Sequence, residues 1–357
     1  MSALGFSGGD GGAGLSARRA AHAAVSTHLA LLSDRRLKER VAAADPVGAG
    51  IGGRAGELDV EGARVFVKRV PLTDLELEPA HVRSTANLFG LPMFYQYGVG
   101  SAGFGAWREL AAHIMTTNWA LGDAYAGFPL LHHWRVLPDA PPEGFVDEFG
   151  GVEGAVAHWD GSSAVRRRLE AIGAVSSSLV LFLEHVPHTL AESLRRHRGG
   201  YAWAEGELGR GTAFMSAQGF VHFDAHFANV LTDGHRICFA DLGLALSSRF
   251  ELAEKEREFL DRHLLYDRSH TVSHLIRHHL LDGVLGDRDP EVFLREWIAG
   301  RRPDGLTAEA AGILDRHAHH TLVLHGFHRR LLTRSKQTPF PATEIERALN
   351  TPATTAG

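Results

Sequence analysis

The segment at residues 219–246, G-F-V-H-F-D-A-H-F-A-N-V-L-T-D-G-H-R-I-C-F-A-D-L-G-L-A-L, constrains this chain more than any other. Its run Asn229-Val230-Leu231-Thr232 is β-prone and ends at Asp233-Gly234, a pair suited to the left-handed backbone of a tight hairpin turn. Residues 236–240 return as a second β-prone run and deliver Asp241-Leu242-Gly243. Such a hairpin holds Asp224 and Asn229 at the start of its first strand and carries Asp241 back beside them. Two carboxylates and a carboxamide gathered this way are hard oxygen ligands suited to Mg²⁺, with one carboxylate free to work on a hydroxyl proton.

The pattern His222-x-Asp224, Asn229 five residues later, then Asp241-Leu242-Gly243, resembles the catalytic segment of the protein-kinase-like phosphotransferases. The resemblance implies an α+β, two-lobed protein-kinase-like fold, with a small antiparallel-sheet N-lobe and a larger, mainly helical C-lobe. It implies in-line transfer of the γ-phosphoryl group of ATP to a hydroxyl. Asp224 would accept or orient the hydroxyl proton, Asn229 and Asp241 would hold Mg²⁺, and His222 would brace the loop through nearby backbone. His226 stands where Ser/Thr protein kinases usually carry lysine and aminoglycoside phosphotransferases often carry histidine, which makes it a further catalytic candidate. Phe223 replaces the arginine of many regulated protein kinases, so a phosphorylated activation loop would lack its usual partner.

Upstream, residues 47–60 carry Gly48, Gly50, Gly52, Gly53 and Gly56, glycines that let a backbone turn approach phosphate oxygens closely. Gly50, Gly52 and Gly53 are the candidate nucleotide contacts. Residues 63–70 read as a strand, in which Lys68 and Arg69 point to opposite faces. The kinase-like order implies that Lys68 grips the non-transferred phosphates and that Glu109, on a helix over 107–121, pairs with it. The apolar strand 177–184 leads into Glu184-His185-Val186, which resembles a hinge. The backbone of Glu184 and Val186 would then bond the adenine edge. Gly98-Val99-Gly100-Ser101-Ala102-Gly103 has dinucleotide-binding spacing, but no strand separates the following helix from Asp123, so these glycines read as a flexible lead into that helix.

The remaining expectations follow from periodicity and turn chemistry. Residues 1–15 are expected to be disordered, 16–186 to form the first lobe, 187–350 the helical lobe and 351–357 a flexible tail. One helix is expected over 16–44, a strand over 128–137, an inserted loop over 138–161 and a helix over 162–171. Thr189-Leu190-Ala191-Glu192 reads as a capping box, and Gly219 as the stop of a helix over 203–218. Helices follow at 250–265, 270–281, 290–298, 307–332 and 343–349. The run Glu251, Glu254, Glu256, Glu258 reads as a solvated face. His317, His319, His320, His325 and His328 lack a carboxylate or cysteine to complete a ligand set and read as ordinary helical surface.

Composition narrows the partners. A net charge of −5 offers no basis for nucleic-acid binding. A single cysteine, Cys238, excludes an intramolecular disulfide framework. No apolar run has transmembrane length and the Gly-rich start lacks a signal-peptide core, so a cytoplasmic protein without a membrane partner is expected. No proline lies between Gly243 and Pro290, so the Ala-Pro-Glu close of a protein-kinase activation segment is missing. That favours a small hydroxylated acceptor, a cationic one included, over a protein substrate. An atypical protein Ser/Thr kinase is the alternative. A pseudokinase-like nucleotide-binding module is third, disfavoured because Lys68, Asp224, Asn229 and Asp241 are all present.

Overall fold

The computed structural model describes residues 11–50, 53–98, 100–197, 199–282, 284–285, 288–303 and 305–350. Helix accounts for 51% and strand for 15%, and the five-stranded sheet is antiparallel throughout, so the class is α+β. The chain divides into two compact units. One combines Gly8–Val186 with Ala240–Arg257, the other Pro187–Phe239 with Glu258–Gly357.

The sheet unit begins with α1 (Gly11–Ala30) and α2 (Asp34–Ala42). The single helix expected over 16–44 is broken because Ser33 takes an extended backbone and its hydroxyl accepts the Arg36 N–H at 3.4 Å, capping α2. Helix α1 also starts at Gly11, inside the stretch expected to be disordered. The strands β1 (Asp45–Gly50), β2 (Gly53–Val60), β3 (Ala63–Leu72), β4 (Leu131–Pro138) and β5 (Ser177–Glu184) lie in the order β1-β2-β3-β5-β4.

Strand periodicity then sorts β3. Val65 and Val67 join Val25, Leu29 and Leu37 of α1 and α2 in one core. Val70 and Leu72 join Trp107 and Leu110 of α4 (Ala106–Leu121) in another. Lys68, in phase with Val70 and Leu72, is therefore delivered to the α4 side.

The connection over 71–105 and the stretch 138–161 expected to be a loop pack on each other. Phe89, Leu91, Tyr95 and Phe104 from the first share a core with Val146, Val156 and Trp159 from the second. The expected loop at 138–161 contains α5 (Val152–His158), and α6 (Ser163–Ile172) follows it. This subcore also sets the start of α4. Glu76, on the one-turn α3 (Asp74–Leu77), is buried, pairs with Arg168 at 2.8 Å and accepts the Ala106 N–H at 2.7 Å.

Residues 240–257 cluster with this unit rather than with the helices after 187. Gln96 donates to the Leu244 carbonyl, and Arg108 pairs with Glu256 at 2.6 Å. Glu256 is thus buried, against the expectation of a solvated acidic face.

In the helical unit, β6 (His188–Thr189) leads into α7 (Leu190–His197) through the expected capping box. The Glu192 N–H donates to Thr189 Oγ1 at 3.1 Å and the Thr189 N–H to Glu192 Oε2 at 3.3 Å. Helix α8 (Tyr201–Ala217) stops before Gly219, whose φ is +62°, and a short β7 (Phe220–Val221) follows. The hairpin of β8 (Val230–Thr232) and β9 (Ile237–Phe239) turns at Gly234, φ +89°, and β6 pairs with β8. From Glu258 onward the chain completes α9 (Glu254–His263) and continues as α10 (Tyr266–Leu275), a π-helical turn (Ile276–Leu280), α11 (Pro290–Ile298), α12 (Ala308–Thr333) and α13 (Ala342–Asn350). Val272, Ile276, Phe293, Trp297, Ile313 and Leu314 form their core. Among the described residues no helix is long and apolar enough to cross a membrane.

Candidate functional site

The singled-out side chains form one cluster in each unit. In the sheet unit, Lys68 Nζ lies 2.7 Å from Glu109 Oε1 and 2.7 Å from Asp241 Oδ1. The Lys68 and Glu109 side chains are buried, whereas Asp241 is 45% exposed. Burial works against the ammonium, but Asp241 and then Glu109 outweigh it and hold the Lys68 pKa above its ordinary value. Burial also pushes the Glu109 carboxyl upward; Lys68 opposes that push and Asp241 adds to it. One cation thus serves two carboxylates, of which Asp241 is the more exposed.

Asp241 sits at φ +57°, a left-handed conformation uncommon for aspartate, and caps the 3-10 turn Leu242–Leu244 by accepting the Gly243 N–H at 3.4 Å. The turn passes so close to Gly103 that a Cβ there would fall 2.7 Å from the Gly243 carbonyl oxygen. A Cβ on Gly100 would fall 2.2 Å from the Phe149 ring. Gly103 is therefore packed against the Asp241 turn and Gly100 against Phe149, where the sequence suggested a flexible lead.

The glycines expected to contact a nucleotide divide. Gly53 has φ +121°, and a Cβ there would lie 2.1 Å from the Arg69 carbonyl oxygen, so close strand approach already requires this glycine. Gly50 pairs with Gly53 at the end of β1, and Gly52 lies outside the described residues. Glu184 is committed elsewhere. Its N–H donates to the Leu130 carbonyl at 2.8 Å, and its carboxylate accepts Arg18 Nε and Nη2, both at 2.7 Å. The Glu184 amide hydrogen is thus engaged within the sheet unit. Nothing in the sequence near Arg18 signalled this partner, 166 residues away.

In the helical unit the loop before the hairpin is held by its backbone. Asp267, buried on α10, accepts the His222 N–H at 2.6 Å and the Phe223 N–H at 3.0 Å. Burial raises its pKa to about 7, against the pull of those two bonds. Phe223 has φ +65° and is kept there by a nest of rings, its centroid 5.1 Å from Tyr266, 5.6 Å from His263 and 5.7 Å from Phe259. His222 is fully buried and its Nδ1 accepts the Asp224 N–H at 3.2 Å, the bracing role expected of it.

On that base, Asn229 Nδ2 donates to Asp224 Oδ2 at 2.9 Å and to the Asp224 carbonyl at 3.1 Å, which fixes the plane of the carboxylate and keeps the amide oxygen Oδ1 as an acceptor. His226 Nε2 is 3.7 Å from Asp224 Oδ1, an electrostatic neighbour beyond hydrogen-bond reach, while its Nδ1 accepts the Ala228 N–H at 3.3 Å.

No protein-family model and no curated protein matches this chain.

Lys68, Glu109 and Asp241 come together, as do Asp224, Asn229 and His226, whereas Gly53 and Glu184 are engaged structurally. Sequence reasoning missed Arg18 and Asp267. Neither lies in a motif, and the only hint of Asp267 is a carboxylate in the first turn of a mostly buried helix. Among the described residues no group of three or more His, Cys, Asp or Glu side chains is placed to hold a metal ion on its own. The α12 histidines are not uniform surface: His319 is exposed and His320 is fully buried.

Proposed function

We propose that this chain is an ATP-dependent phosphotransferase that moves the γ-phosphoryl group to a hydroxyl of a small molecule, in the manner of the kinase-like enzymes it resembles. The observation that carries the reading is Lys68 Nζ held at 2.7 Å from both Glu109 and Asp241. A buried lysine clamped in this way presents a charge of fixed position, which is what grips a phosphate oxygen without reorganisation.

The donor set fits Mg²⁺ of the nucleotide-bound kind, which needs one or two protein oxygens and takes the rest from phosphates and water. Asp241 would contribute a partly exposed carboxylate oxygen and Asn229 an amide oxygen. When bound, Mg²⁺ would neutralise the phosphate oxygens. Lys68 holds the non-transferred phosphates and Glu109 prevents it from swinging. Asp224, its plane set by Asn229, orients the acceptor hydroxyl and takes its proton. Asp267 and the rings around Phe223 keep Asp224 in place. The reading requires both clusters to act on one nucleotide. The chain runs directly from β9 through Ala240 into Asp241.

Support for a small acceptor comes from residues 240–257. Ser84 donates to Glu251, Gln96 to Leu244 and Arg108 to Glu256, so the segment that would form a peptide platform is tied into the sheet unit. The test is γ-labelled ATP with Mg²⁺, offered a panel of aminoglycosides, choline and other hydroxylated amines beside a generic protein. Label on a small molecule is expected, with turnover falling about 10²- to 10⁴-fold in a folded Asp224→Ala variant. Label on nothing, or full turnover in that variant, refutes the proposal. Label on protein alone refutes its acceptor class.

A further inference from the structure

We propose that His274 of α10 latches the loop over 224–229 within the helical unit, and that acid opens this latch. Loop and helix belong to the same unit, so the device is complete within it. The latch holds the loop whether or not the chain transfers phosphate, and its test reads the backbone, not turnover.

Helix α10 grips the loop region at two places. Asp267, near the start of the helix, accepts the His222 and Phe223 N–H groups. Two turns further along, on the same face, His274 Nε2 accepts the Phe227 N–H at 3.5 Å. The two grips differ in chemistry. A carboxyl group keeps acceptor capacity whether or not it is protonated, so Asp267 still holds its N–H groups in acid. An imidazole accepts only while it is neutral, because both nitrogens of the imidazolium are donors. A protonated His274 would turn an N–H toward the Phe227 N–H, and this second grip would be lost.

The surroundings of His274 make that loss a switch. Its ring is half-buried and lies 4.6 Å from Phe227 and 4.6 Å from His278. His279 follows at 5.7 Å, His270 at 6.2 Å and, from the loop itself, His226 at 6.5 Å. Helix α12 adds His328, 5.7 Å from His270, and α7 adds Arg195, which acts on His279. The carboxylates act on neighbours of His274: Asp224 lies 3.7 Å from His226, Asp282 acts on His279 and Asp289 on Arg277. On α8, Glu205 is bonded to Arg316 and His317.

A proton on His274 in the closed loop is therefore a half-buried cation among groups that are positive or become so in acid. Burial first, then His278, His279, His226 and Arg277, lower its pKa to about 3. Opening the loop returns the ring to water, where it takes a proton near its ordinary value of 6.5. The closed form is thus fully favoured above pH 6.5 and loses ground as pH falls toward 3. The open-to-closed ratio rises about tenfold for each pH unit in that window, or about 20-fold between pH 7 and pH 5.

The test is hydrogen–deuterium exchange of the full chain at pH 7 and pH 5, corrected for the intrinsic exchange rate. His274→Gln places an amide oxygen that can accept the Phe227 N–H and does not titrate. On going to pH 5, the amides at 226–230 should lose about 20-fold more protection in the parent than in this variant, while α11 loses equally in both. In His274→Phe, which keeps a ring against Phe227 and offers no acceptor, the loop should already be loose at pH 7. The latch is overturned if parent and His274→Gln lose protection alike at 226–230, if α11 shows the same excess, or if His274→Phe is as protected as the parent at pH 7. Should His274→Gln fail to fold, the ring-nitrogen resonances of His274 in the parent decide: a neutral ring at pH 6 is expected, and an imidazolium there overturns the latch.

Discussion

The cluster around Lys68 and the cluster around Asp224 hold polar groups in place by opposite means. In the sheet unit a buried ammonium is held by two carboxylates, so charge neutralises charge. In the helical unit Asp224 is held mainly through its loop, besides the Asn229 bond to its carboxylate. Its loop hangs from Asp267 by two backbone N–H bonds, and Phe223 is wedged among rings. The first arrangement depends on which charges are present, because a buried ion without its partner is costly. The second depends on backbone position and lets the carboxylate side chain itself remain partly open.

The largest break in this contrast should come from Lys68→Met. Glu109 and Asp241 lose their common cation, and stability measured by denaturant should fall by about 4 kcal/mol. Adding Glu109→Gln removes the stranded charge and should recover more than half of that. A loss below about 1 kcal/mol would mean that the cluster is not held by charge pairing.

Next in size is Asp267→Asn, which cannot accept both N–H groups equally well and should cost about 2 kcal/mol. Its pH dependence sharpens the comparison. The Asp267 pKa is raised from 3.8 to about 7 in the folded protein, so folding favours the protonated form. That contribution is complete below the unfolded value and is lost as pH rises through about 7. The stability gap between parent and variant should therefore be widest near pH 4 and narrowest by pH 8. A gap independent of pH would place Asp267 as an ordinary ionised anchor.

Smallest is Asn229→Ala. It removes partly exposed bonds to Asp224 and should cost about 1 kcal/mol in thermal or chemical denaturation while leaving the rest of the helical unit unchanged.

What could be read in advance was local. Asp233-Gly234 turns the hairpin, Thr189 and Glu192 cap α7, Gly219 ends the helix before the loop, and Pro290 opens α11, each because backbone preference and short-range hydrogen bonds act within a few residues. Even locally the reading slipped at Ser33, whose cap divides a stretch of uniformly helical composition.

The sequence alone determined the strand that carries Lys68, the helix that carries Glu109 and the hairpin that leads to Asp241. Tertiary packing decided which charges meet. Arg18 reaches Glu184 across 166 residues and Lys68 reaches Asp241 across 173. Gly103 became a packing position only when the Gly243 carbonyl came to lie against it. A buried ion's partner is chosen by how layers pack, and no short stretch of chain contains that information.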